Sequence, residues 1–95
     1  MTAVLASSRI PLSELHRRFT PVHCAIATEG RHAFRSVRCQ HERADLLSEA
    51  VLAAWERFLA LVTEATPVDP AAIAQHAVAA ARRTYRRAQH STLPN

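Results

Sequence analysis

Between Asp45 and Leu59 the apolar and polar positions separate cleanly when the chain is wound at 100° per residue. Leu47, Val51, Ala54, Trp55, Phe58 and Val62 share one broad face, and Asp45, Glu49, Glu56 and Thr63 share the opposite one. The pattern predicts an amphipathic helix whose apolar stripe sits in a globular core. It starts near Glu42, with Glu42 and Asp45 in the first turn, where carboxylates favour the helix dipole, and runs to about Ala65.

The flanking segments read the same way. Pro11 opens a short amphipathic helix with Leu12, Leu15 and Phe19 on one side and Glu14, Arg17 and Arg18 on the others. Thr20-Pro21 has the form of a helix start, a capping hydroxyl followed by proline at the first helical position. A second helix is expected over residues 21–38, burying Val22, Ile26, Ala33, Phe34 and Val37. Gly30 lies on that face, where glycine costs about 1 kcal/mol against alanine. It marks either a close helix crossing, the favoured reading, or a break. Cys39-Gln40-His41 makes a tight connection to the central helix.

The clearest linker is Thr66-Pro67-Val68-Asp69-Pro70, with Asp69 as cap and Pro70 at the first helical position. The last helix then covers residues 70–89 and buries Ile73, Ala74, Ala77, Val78, Ala81 and Tyr85. The expected fold is all-α, a small helical bundle of three long helices plus a short N-terminal helix. It forms a single helical domain over residues 11–89, between a flexible N-terminus (1–10) and a flexible C-terminal tail (90–95).

Composition narrows the chemistry. The single glycine leaves no glycine-rich phosphate loop or dinucleotide fingerprint. Every basic residue is arginine, the net charge is +4, and beyond Asp69 there are four arginines and no acid. Arg82, Arg83, Arg86 and Arg87 place the pairs 82/86 and 83/87 on adjacent ridges of the last helix, a row suited to phosphates or simply to solubility. Asp45, Glu49 and Glu56 form an acidic stripe that is either a plain solvated face or a partner-binding surface, and is poorly suited to acid–base chemistry.

Ser48 reads as a helical hydroxyl rather than a nucleophile. His23-Cys24 and Cys39-Gln40-His41 lie about 22 Å apart along one helix, too far to share a metal, unless Gly30 breaks it. No catalytic site, metal or cofactor is expected, and the chain reads as a non-enzyme. The start of the chain lacks a basic, apolar leader, and no run approaches the length of a membrane span. A cytoplasmic protein with reduced thiols follows.

The central helix resembles region 2 of bacterial RNA polymerase sigma factors of the compact extracytoplasmic-function type. The family segment typically reads Asp-Leu-Val-Gln-Glu-Val-Phe-Leu-Arg-Ala-Trp, and the chain matches it at Asp45, Leu46, Glu49, Leu52, Ala54 and Trp55. Upstream, residues 12–21 are similar to the family's first-helix entry. Downstream, residues 73–87 resemble an Ala-rich helix ending in clustered arginines. The resemblance implies a stand-alone or degenerate region-2-like, transcription-associated protein. Asp45 and Glu49, with Glu56 on the same stripe, would face the β′ clamp helices of the polymerase core, and Arg82, Arg83, Arg86 and Arg87 would face DNA.

Two departures shape this expectation. Ser48 stands where the family carries Gln, and Ala71 and Ala72 stand where its melting helix carries aromatic residues. The lost aromatics imply a protein that binds polymerase without opening DNA, and with no room for a second DNA-binding domain it is expected to be a stand-alone module rather than a complete initiation factor. The alternative expectation is a small protein-interaction module without a nucleic-acid role, an adaptor or a homodimer pairing through exposed Leu46 and Leu61.

Overall fold

The computed structural model describes residues 10–91, of which 89–91 by backbone alone. Of the expected flexible ends at residues 1–10 and 90–95, residues 1–9 and 92–95 lie outside the described residues, while His90 and Ser91 continue the last helix. Three helices follow in order: α1 (Leu12–Ala33), α2 (Gln40–Thr63) and α3 (Pro70–Ser91). The chain is all-helical among the described residues, as the periodicity predicts.

α1 corrects the expected start of the bundle. The short N-terminal helix and the second helix are one continuous element, with Pro21 inside it. Thr20 does not cap a new helix; its Oγ1 donates back to the His16 carbonyl at 3.1 Å. An internal proline costs about 3 kcal/mol. Against that, Leu15, Phe19, Val22 and Ile26 are all buried, each worth about 1.5–3 kcal/mol. Their spacing carries one stripe in phase through Pro21, and breaking the helix there would turn half of it away from the core.

The helix ends at Ala33 rather than Arg38. Phe34 N–H still donates to the Gly30 carbonyl at 2.8 Å, but its ring is buried in the turn, and Val37 N–H closes onto the Phe34 carbonyl at 3.0 Å. Gly30 is the crossing point and not a break. It is buried inside α1, and a Cβ built there would meet Leu47 Cδ2 of α2.

α2 buries more than the single predicted stripe. Leu46, Ala50, Ala54, Phe58 and Leu61 form its buried face, while Leu47, Val51, Trp55 and Val62 are half-buried along one edge. The apolar arc is turned because the helix has two neighbours. α1 covers the Leu47–Trp55 edge, and α3 covers Leu46 and Leu61, which share hollows with Tyr85 and with Ile73. Leu46 is 4% exposed and Leu61 9%, so neither is available for the expected homodimer contact.

Phe19 of α1 sets the aromatic heart of the bundle. Its ring meets Trp55 edge-on at 5.1 Å and Phe58 at 5.3 Å, and Trp55 stacks on Phe58 at 5.6 Å. Such pairs add about 0.5–1.5 kcal/mol beyond area burial.

α3 follows its sequence closely. The Asp69 carboxylate accepts from the Ala71 and Ala72 N–H groups at 3.2 and 3.5 Å, capping the helix at Pro70. Ile73, Ala74, Ala77, Val78 and Ala81 are buried, with Tyr85 half-buried beyond them. α3 packs on both α1 and α2, and more extensively on each than they pack on one another.

α2 closes with a Schellman turn. Thr66 N–H donates to the Leu61 carbonyl at 2.9 Å and Ala65 N–H to the Val62 carbonyl at 3.1 Å. Ala65 occupies the left-handed position with φ 55°, where a Cβ costs about 1–2 kcal/mol. Ala65→Gly is therefore expected to raise stability by about 1 kcal/mol in urea unfolding, after the greater freedom of glycine in the unfolded chain is counted. An unchanged or lowered midpoint would contradict the turn.

Candidate interaction surfaces

Asp45, Glu49 and Glu56 are all exposed, as the pattern predicts. The spacing that aligns them also admits Leu52, so positions 45, 49, 52 and 56 run as one outward stripe along α2. Leu52 is 58% exposed, one of two large apolar side chains left open among the described residues. Shared charge groups the carboxylates in the sequence, and only the four- and three-residue steps bring in the leucine between them.

The N-terminal half of the stripe borders a second feature. Glu42, Asp45 and Glu49 line a cleft of about 140 Å³ with Leu46 of α2 and Thr84 and Tyr85 of α3. Glu56, seven residues beyond Glu49, lies about 10 Å further along the helix and outside this cleft. Tyr85 Oη donates to Glu42 Oε2 at 2.9 Å, linking the helices across 43 residues. The bond stabilises the protonated phenol, so the Tyr85 pKa is raised above its ordinary 10, with partial desolvation and the Glu42 charge acting the same way. Nothing local in the sequence pairs Glu42 with Tyr85. The available signal was that a tyrosine on a buried face needs a partner for its hydroxyl.

Arg82, Arg83, Arg86 and Arg87 are exposed on α3. The Glu42–Tyr85 bond places them at the end of the bundle where α2 begins. Ion pairs among the described residues are confined to the start of α1, where Glu14 holds Arg17 at 2.7 Å and Arg18 at 3.2 Å. Hydrogen bonds from Arg17 and then Arg18 draw the Glu14 carboxyl down to about 2. The arginines at that end thus share a local anion, whereas the four on α3 form no ion pair among the described residues.

Other candidate groups stay apart. α1 is continuous through Gly30, so His23-Cys24 and Cys39-Gln40-His41 occupy separate places along the bundle. Both thiols are free and exposed. No three His, Cys, Asp or Glu side chains converge as metal ligands among the described residues. Ser48 and His23 line one hollow between α1 and α2, with Leu47 and Val51, and no hydrogen bond joins them among the described residues. No described helix is long and apolar enough to cross a membrane.

Comparison with protein-family models, with curated proteins and with solved structures finds no match to this chain.

The Glu42–Tyr85 link is open to a direct optical test, because the chain has one tyrosine. Its phenol should titrate above the ordinary value of about 10 by absorbance, and Glu42→Ala should lower the midpoint. Because the folded pKa is raised, the contribution of the bond is fully present below the unfolded value and is lost as pH rises through the folded one. Identical midpoints in the two proteins would refute the bond.

Proposed function

We propose that this chain is a sigma region-2-like, transcription-associated module acting in the cytoplasm. It holds the RNA polymerase core through the outward stripe of α2 and contacts DNA through the arginines of α3. The observation that carries this reading is the separation of opposite charges, which form no ion pair among the described residues, onto different helices. Asp45, Glu49 and Glu56 flank exposed Leu52 on α2, and Arg82, Arg83, Arg86 and Arg87 cover the outer side of α3.

The resemblance divides sensibly on this frame. Of the matched positions, Leu46 and Ala54 are buried and Trp55 joins the aromatic cluster, while Asp45, Glu49 and Leu52 face outward. A motif shared only for packing would have no call on the exposed three. An apolar anchor ringed by carboxylates suits a basic, partly apolar protein surface, with the charges governing encounter rate and specificity.

Ala71 and Ala72 are exposed at the start of α3 and offer no ring on which an unpaired base could stack. The proposed role is accordingly attachment to polymerase and to the DNA backbone, without strand opening. A second reading, a protein-interaction module with no nucleic-acid role, draws on the same Leu52 stripe. It predicts partner binding that survives loss of the α3 arginines.

Glu49→Arg reverses a charge at the centre of the stripe on an exposed site. It should weaken binding to bacterial core RNA polymerase by about tenfold or more, with helical content and melting unchanged. Undiminished binding would overturn the assignment of this face.

A further inference from the structure

Where α1 ends and α2 begins, the chain builds a basic hollow that the proposed function does not use. Arg31 in the last turn of α1, Arg35 in the connection and Arg43 of α2 line a cavity of about 360 Å³ whose walls include Gly30, Phe34 and Leu47. Among the described residues no carboxylate lines it. It belongs to the α1–α2 junction, whereas Arg82, Arg83, Arg86 and Arg87 belong to α3.

Arg43 is the informative member. It stands at the end of the first turn of α2, where the helix dipole disfavours a cation. It is held there from the connection. Nη1 donates to the Val37 carbonyl at 2.6 Å and to the Arg38 carbonyl at 3.3 Å, and the side chain is partly buried. One nitrogen thus anchors the guanidinium, and Nε and Nη2 have no acceptor among the described residues. The fork is oriented in advance, which reduces the ordering cost of binding an oxyanion.

Arg31 and Arg35 are exposed and make no ion pair among the described residues. The α1 dipole favours Arg31 in its last turn, but it gives no reason for Arg43 to share the same hollow. Three like charges around an apolar floor repel one another. An anion with several acceptor oxygens relieves that repulsion and takes bidentate bonds from the forks. Gly30 keeps the floor low, since a side chain there would meet Leu47.

We propose that this hollow is a phosphate-binding site, independent of the α3 arginines, that takes the phosphate of a free nucleotide or of a nucleic-acid strand. The claim does not depend on polymerase binding, so the Glu49→Arg experiment and this one can fail separately.

The full chain, labelled with nitrogen-15, would be titrated with AMP, with inorganic pyrophosphate, and with single-stranded DNA of about 12 nucleotides. Saturable shifts are expected at the amides of residues 30–35 and 40–43 and at Arg43 Nε. Arg31→Gln/Arg35→Gln, both at exposed sites, should weaken binding by about tenfold, and Arg82→Gln/Arg86→Gln should leave these shifts in place. Arg43→Lys tests the fork, because lysine keeps the charge and loses the bidentate geometry. It should weaken binding while the helical spectrum is retained. Saturation by AMP or pyrophosphate alone would support the site with a free phosphate ligand. Tighter saturation by the oligonucleotide at the same residues would support it with a strand as the source. No saturable shift with any probe would overturn it, and so would an equal loss from the α3 double variant, which would reduce the effect to net charge.

Discussion

The bundle depends on the alanine face of α3. Ala74, Ala77 and Ala81 are all buried, and their small side chains let α3 lie close to α1 and α2 together. Each alanine removes little apolar area from water, so the gain comes from the close approach and the dispersion contacts it allows. The large rings gather instead between α1 and α2, where Phe19, Trp55 and Phe58 meet. With Ile73 seated beside Leu61 and Tyr85 bonded to Glu42, the register of α3 along α2 is set at both ends. That register decides which charges become neighbours.

The charges are arranged unevenly as a result. At the start of α1, Glu14 serves Arg17 and Arg18 together. At the opposite end, Arg31, Arg35 and Arg43 gather around one hollow and four more arginines stand on α3, while the nearby Glu42 is engaged by Tyr85. A surface that leaves like charges side by side gives up stability through self-repulsion. Binding an anion is a physical use for that arrangement. The outward stripe of α2 is its counterpart, acidic and centred on Leu52, and it looks away from the core that the same helix supports.

Legibility in the sequence varied with how local the deciding physics was. α3 could be read almost entirely, because Asp69-Pro70 fixes its start and the alanine stripe has one period. The periodicity of α2 places the helix but defines too narrow a buried face. A stripe centred on Val51 and Phe58 answers to one neighbour, and Leu46 and Leu61 became core only because α3 packs on the second side. Thr20-Pro21 carries a genuine local start signal, yet the stripe from Leu15 to Ile26 continues in phase across it, and tertiary burial outweighed the cap. The Glu42–Tyr85 bond and the hollow of Arg31, Arg35 and Arg43 are products of topology. No short-range pattern announces them.

The most direct test of the central claim is amide hydrogen exchange of the full chain, free and with bacterial core RNA polymerase. The polymerase-binding stripe predicts slowed exchange over residues 45–56 of α2, with residues 27–33 of α1 unchanged. Exchange in α2 that is unaltered by the polymerase, or protection confined to another element, would contradict it.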